Sequence, residues 1–195
     1  SKIEEKKYIL KIKRLLKNSD LIIVADYGHG LFSKAIRNEI EKYKDKMFLN
    51  TQINSFNRGF HTLSHYKKTH ALMLNESELR HEMKDQNSNL KILLKKLRKK
   101  INFEHLIITQ GRNGSTHFVK NKEFICPAFS DNALDATGAG DTFFALASLG
   151  LAGKIDYRLV NLISSMSAGY AVQNLSNKEY FNFSLLKKHL SHMFQ

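Results

Sequence analysis

The 195 residues carry 31 Lys and Arg against 18 Asp and Glu, a net charge of +13, with a single cysteine. One cysteine excludes an intramolecular disulfide and fits a reducing, cytoplasmic compartment. No apolar run reaches the length of a bilayer span, and the first seven residues lack the apolar core of a signal peptide. The length suits one domain with a sizeable core, and no repeat or low-complexity linker divides it.

Ile3 to Lys17 reads as an amphipathic helix through Ile9, Ile12, Leu15 and Leu16, followed by a buried strand from Leu21 to Ala25. Ser33 is placed to N-cap a helix reaching about Lys44. Met47 to Thr51 and Ala71 to Leu74 are the next strands, with an irregular stretch between them, and Glu76 to His81 starts a short helix. The densest basic segment, 90–101, sets Leu90, Leu94, Leu97 and Ile101 at helical spacing toward a core. Its lysines are therefore a solvated helix face, which argues against a nucleic-acid surface. Leu106 to Thr109 is a strand. Asn113-Gly114 is a strong hairpin dipeptide, expected to place His117 to Lys120 and Lys122 to Ile125 in antiparallel strands. Cys126, alone on its strand, reads as packing rather than chemistry. Two largely apolar helices follow, over about Gly140 to Gly150 and Asp156 to Asn174, then a terminal helix through Leu185, Leu186 and Leu190. Strand–helix alternation predicts an α/β fold, a mostly parallel sheet with helices on both faces.

Asp135-Ala136-Thr137-Gly138-Ala139-Gly140-Asp141-Thr142-Phe143 is the most informative stretch. Its glycines, followed by an apolar run, describe a tight turn feeding the first turn of a buried helix. Backbone N–H groups and the helix dipole at such a start favour an anion. Asp141 fits there in two ways. It is a general base for a group attacking that anion, or an acidic residue at an ordinary helix start. The residues alone leave both open.

The string resembles the C-terminal signature of the PfkB, or ribokinase-like, family of carbohydrate kinases, Asp-Thr-x-Gly-Ala-Gly-Asp-x-Phe, with Ala136 where threonine is common. Ile125-Cys126-Pro127-Ala128-Phe129 precedes it at the family's spacing. Thr109-x-Gly111-x-x-Gly114 after Leu106-Ile107-Ile108 resembles the nucleotide-site loop, and Asn75-Glu76-Ser77-Glu78 the Asn-x-x-Glu motif. The strand and turn 21–30, ending Asp26-Tyr27-Gly28-His29-Gly30, is similar to that of the heptose-phosphate kinase branch.

The resemblance implies an ATP-dependent sugar kinase on a ribokinase-like fold. Asp141 is then the catalytic base, and the amides of Gly138, Ala139, Gly140 and Asp141 form the anion hole. Thr109, Gly111 and Gly114 wrap the nucleotide. Asn75 and Glu78 organise Mg2+, partly through water, although the same pair also reads as a helix start. Asp135 and Thr137 match positions that help form a monovalent-cation (K+) site in some relatives. The family's first strands, its lid sheet and most sugar-recognising residues have no counterpart here, so the chain resembles the C-terminal portion of a kinase domain. A homodimer through the lid would depend on the absent half, and kinases of the heptose branch are often fused to a nucleotidyltransferase. Around 50–60 the chain departs from the family, lacking the Asp-Pro and basic residue that many members have, which puts the acceptor in doubt. His61, His65 and His70 have no companion cysteines and no H-E-x-x-H pattern, and read as surface or packing residues. There is no P-loop, and Gly138-Ala139-Gly140 lacks the third glycine of a dinucleotide fingerprint. A nucleotide-binding module without catalysis is the competing reading.

Overall fold

The computed structural model describes residues 2–53, 63–130 and 137–173, with 182, 184, 185, 187, 188 and 191. The chain forms two compact units, residues 1–107 and 108–195. In the first, helix α1 (Lys2–Asn18) leads to strand β1 (Ile22–Asp26), helix α2 (Lys34–Ile40), strand β2 (Met47–Thr51), strand β3 (Ala71–Asn75) and helices α3 (Glu76–Met83) and α4 (Leu90–Leu97). Strand β4 (His105–Thr109) runs across the boundary. The second unit continues with strands β5 (Ser115–Val119) and β6 (Lys122–Cys126) and helices α5 (Ala139–Ala152) and α6 (Tyr157–Ala171). The strands form one six-stranded sheet in the order β1-β2-β3-β4-β5-β6. β1–β2 and β2–β3 are parallel and β5–β6 antiparallel, so the expected mostly parallel α/β sheet forms.

Burial explains the strands. Every residue of β2 is buried, as are Ala71 to Leu74 of β3, the continuous apolar pattern of parallel strands covered on both faces. β1 instead alternates, with Val24 buried and Ile23 42% exposed. On α1, Leu16 is buried and Ile9 and Ile12 half-buried, but Leu15 is 59% exposed. At 100° per residue Leu15 stands a quarter turn off the Ile9–Ile12–Leu16 stripe, so the periodicity overcounted the face by one residue.

Three boundaries differ from those read in the sequence. The Ser33-capped helix stops at Ile40, short of Lys44, and continues as tighter 3-10 turns over Glu41–Lys46, with Tyr43 outside helical geometry. There Glu41 is buried, and its Oε1 accepts the backbone N–H groups of Lys67 and Lys68, a demand invisible in local sequence. The lysine-rich helix stops at Leu97 and turns over 98–100; Leu93, Leu97 and Ile101 are its buried positions, with Leu90 and Leu94 half-buried. The turn joining the β5–β6 hairpin is Lys120-Asn121, with Lys120 at φ 53°. Asn113-Gly114 closes the preceding connection instead, where the Gln110 N–H donates to the Gly114 carbonyl at 2.8 Å. Asn-Gly marks a tight turn without stating which strands it joins. The terminal helix expected through Leu185, Leu186 and Leu190 lies largely outside the described residues.

Phe143, Phe144, Ala147 and Leu151 of α5 and Val160 and Met166 of α6 are buried in the second unit. A Cβ on Gly150 would lie 2.7 Å from a Val160 methyl, which sets how closely these two helices approach. Cys126 is buried, and desolvation raises its thiol pKa, opposed by a hydrogen bond with Ser165; this is an unreactive environment. Among the described residues no helix is long and apolar enough to cross a membrane.

Gly114 combines a positive φ with a close backbone approach. It sits at φ 83°, and an added Cβ would meet the Cys126 carbonyl oxygen at 2.0 Å and the Pro127 carbonyl carbon at 2.6 Å. Gly111, at φ 56°, has nothing within 4 Å of such a Cβ among the described residues. Gly114→Ala is therefore expected to cost about 3 kcal/mol or more, left-handed strain plus a backbone clash, and Gly111→Ala about 1 kcal/mol. Thermal unfolding of the two variants side by side checks the ranking.

Candidate active site

Parallel strands deliver their carboxyl ends to one edge, and in the first unit that edge carries Asp26, Thr51 and Asn75. Asp26 pairs with Thr51 in register, and the Gln52 N–H donates to the Asp26 carbonyl at 3.0 Å. The Asp26 carboxylate is buried. It accepts the Gly28 N–H at 2.9 Å, which folds the following turn, and the Tyr66 hydroxyl at 2.6 Å. Tyr66 is itself fully buried, with the Arg37 guanidinium 5.9 Å from its ring centre. Burial first, then the Asp26 carboxylate, pushes the Tyr66 hydroxyl well above the ordinary tyrosine range. Asn50 is buried one residue before Thr51; its side-chain N–H donates to the Met73 carbonyl at 2.9 Å, while its Oδ1 is buried with no hydrogen-bond partner among the described residues.

Asn75 and Glu78 are brought together as a reciprocal helix cap. Asn75 Oδ1 accepts the Glu78 N–H at 2.8 Å, and Glu78 Oε2 accepts the Asn75 N–H at 2.8 Å. Ser77 Oγ also donates to Asn75 Oδ1 at 2.8 Å. Asn75 is exposed at the strand end, whereas Glu78 is buried. Glu78 lines a small cavity with Thr51, Ile53, Leu63, Leu74 and Glu82. Glu82, one helical turn on, accepts the Leu63 N–H at 3.0 Å and pairs with Lys100 at 3.2 Å. These oxygen donors suit a hard cation such as Mg2+, which keeps several waters and needs few protein groups.

In the second unit Gly138, at φ 79° and ψ −8°, is the N-cap of α5. Its carbonyl accepts the Thr142 N–H at 2.9 Å and the Thr142 hydroxyl at 3.0 Å. Ser33, Asn75, Asn89 and Asp156 each cap their helix through a side-chain oxygen, which Gly138 does not possess. Among the described residues, a Cβ on Gly140 would meet nothing within 4 Å. Asp141 stands exposed in the first turn, and Thr137 is also exposed; Asp135 lies outside the described residues. Thr109, Gly111 and Gly114 share the β4–β5 connection, with Thr109 half-buried, Gly111 exposed and Gly114 fixed by its close backbone approach. Segment 54–60 and His61 also lie outside the described residues.

The anchoring pair Asp26–Tyr66 and the acid Glu82 were missed in the sequence. Tyr66 gives no signal beyond being an aromatic in a polar stretch, and Glu82 becomes visible only when placed i+4 to Glu78.

The chain belongs to the pfkB family of carbohydrate kinases, whose model matches residues 6–174. Members of that family are phosphotransferases acting on sugar hydroxyls. Among curated relatives, the bifunctional protein HldE of Aliarcobacter butzleri (strain RM4018) is 27% identical over 176 residues, 88% of this chain and 36% of that protein. HldE of Desulfatibacillum aliphaticivorans is 28% identical over 158 residues, 78% of this chain and 32% of the other. The chain thus spans about a third of the length of the curated relatives it matches. Among solved structures, Arabidopsis thaliana ribokinase complexed with ribose and ATP superposes with TM-score 0.70 at 16% identity, over 92% of this chain and 58% of that one. Phosphofructokinase-2 from Escherichia coli in complex with potassium gives 0.76 at 10% identity, over 96% and 62%. These likenesses establish the ribokinase-like fold.

Tyr66→Phe removes a hydrogen bond to a buried carboxylate and is expected to cost about 2 kcal/mol. The folded-state hydroxyl is held above its unfolded value, so its contribution is complete below about pH 10 and lost as pH rises further. The stability gap between wild type and variant should therefore narrow in alkaline solution. Denaturant midpoints at pH 7 and above pH 10 test this, and a constant gap contradicts it.

Proposed function

We propose that the chain supplies the nucleotide-binding and catalytic part of an ATP-dependent kinase that phosphorylates a hydroxyl of a sugar or sugar phosphate. The carrying observation is the start of α5 in a pfkB-family chain: a glycine N-cap, a Gly140 with no described residue within 4 Å of its Cβ position, and a carboxylate in the first turn. In this reading the Asp141 carboxylate accepts the proton of the acceptor hydroxyl as its oxygen attacks the γ-phosphorus and the bond to the β–γ bridging oxygen breaks. ADP leaves. The N–H groups of Gly138, Ala139, Gly140 and Asp141 meet the charge developing on the transferring group, where preorganised donors contribute most.

Thr109, Gly111 and Gly114 receive the ribose and adenine at a strand end, the usual ligand position in an open α/β sheet. Asn75 and Glu78 hold Mg2+ partly through water, their oxygens fixed in place by the cap. Bound Mg2+ supplies charge neutralisation on the phosphates. Asp135 and Thr137 contribute to a K+ site, a reading supported by the potassium complex of the phosphofructokinase-2 neighbour. The HldE relatives and the Asp26-Tyr27-Gly28-x-Gly30 turn favour a heptose-phosphate-like acceptor, and the word bifunctional in their name accords with a fused nucleotidyltransferase. Recognition of the sugar falls to an N-terminal kinase half. The half-covered edge strand β1, with Ile23 exposed, is where further strands would add. The cytoplasm, where ATP and Mg2+ are at hand, is the compartment this reading requires. A second reading, a nucleotide-binding module without catalysis, is favoured by the chain's spanning only a third of its curated relatives.

Two variants separate the readings, measured with the N-terminal half supplied. Asp141→Asn should lower turnover by about a thousandfold while nucleotide affinity stays within about threefold. Near-native turnover would remove the base from the mechanism, and a wild type that binds ATP without turning over would favour the module. Glu78→Gln keeps a cap acceptor, since glutamine also serves at this position, so stability should fall by no more than about 1 kcal/mol. The Mg2+ concentration for half-maximal turnover should rise about tenfold; unchanged Mg2+ dependence would leave Glu78 as a cap alone.

A further inference from the structure

His70, Glu104 and His105 converge at the opposite end of β3 from Asn75. His70 stands five positions before Asn75, about 16 Å of extended chain. The backbone holds the three residues in a fixed frame. The His70 N–H donates to the Met47 carbonyl at 2.9 Å, and the His70 carbonyl accepts the N–H groups of Glu104 at 3.0 Å and His105 at 3.1 Å. Beside it, Thr69 donates its N–H to the Asn102 carbonyl at 2.9 Å and its hydroxyl to the Met47 carbonyl at 2.8 Å.

The side chains follow that frame. His70 Nδ1 lies 3.5 Å from Glu104 Oε2, and the rings of His70 and His105 have centres 5.2 Å apart. Phe48 packs its ring edge-on to His70 at 5.3 Å, which restrains the imidazole. One ligand atom from each of the three residues lies within 4.8 Å of the others. Both histidines are half-buried, while the Glu104 side chain is 50% exposed.

We propose that His70, Glu104 and His105 form a binding site for a divalent cation of the zinc class, with two imidazole nitrogens, one carboxylate oxygen and a fourth position filled by water. Metal bonds of about 2.0–2.2 Å at a tetrahedral angle separate ligand atoms by about 3.4 Å. The His70–Glu104 pair already has that spacing. The remaining closure falls to rotation of the exposed Glu104 side chain and a tilt of the rings. Nitrogen donors select zinc, copper or nickel over Mg2+, so this site does not compete for the cation that phosphoryl transfer uses. Bound metal would clip the segment entering β3 to the one entering β4. The sequence hid this site because His70 and Glu104 are 34 residues apart and meet only through the fold.

Zinc titrated into the intact protein, in competition with a chromophoric chelator, tests the proposal. The expected result is one equivalent bound saturably, with a Tm rise of about 5 °C at a hundredfold excess over Kd. Glu104→Gln, at an exposed side chain that leaves the fold intact by circular dichroism, and His105→Asn should each weaken binding by more than the roughly 10–100-fold typical of losing an outer partner. Absence of saturable binding overturns the proposal, as does zinc affinity that both variants retain within about threefold. Cobalt(II) substitution gives an independent readout: an intense tetrahedral visible band supports the site, and a weak octahedral spectrum contradicts it.

Discussion

Parallel pairing of β1, β2 and β3 is the constraint on which the first unit depends. Parallel neighbours cannot be joined by a tight turn, so every connection crosses back and every carboxyl end emerges at the same edge. The register Asp26↔Thr51 and Asn50↔Met73 then fixes which residues stand there. The polar groups drawn into that edge are held by specific bonds: Asp26 by the Gly28 amide and Tyr66 hydroxyl, Asn50 by the Met73 carbonyl, and Glu82 by the Leu63 amide and Lys100. An unpaired carboxylate in such a place would cost several kcal/mol, so the loops around it are as determined as the strands.

Two helix starts solve the same problem in opposite ways. At α3 the chain satisfies its own first-turn amides through the Asn75–Glu78 box, which also fixes the two side chains that the functional reading assigns to Mg2+. At α5 the N-cap is a glycine, which turns the chain at positive φ but brings no acceptor. A helix start of that kind has donors and dipole to offer a ligand. The difference is physical: one start is capped by its own side chains, whereas the N-cap of the other has no side chain to cap with.

Much of this was legible in the letters. The signature 135–143 carried the family and the helix start, because a glycine-rich turn before an apolar run has few structural meanings. β2 and β3 were legible because fully buried strands are continuous apolar runs. The end of α2 was not, since it answers to Glu41 reaching Lys67 and Lys68, a contact more than twenty residues distant. The β5–β6 turn was misplaced because Lys120-Asn121 lacks the glycine that announces a hairpin. Tyr66 and the His70–Glu104–His105 cluster were hidden for the same reason: their meaning lies in tertiary neighbours, not in spacing.

The central claim is that a pfkB-family chain with this helix start transfers phosphate rather than merely holding nucleotide. The most direct measurement is phosphorus NMR of ATP and Mg2+ with a panel of sugars and sugar phosphates, using the protein with its N-terminal kinase half. A new phosphomonoester resonance is expected with one acceptor, growing as the γ-phosphate signal declines and ADP appears. Nucleotide binding with no phosphomonoester from any acceptor would contradict it.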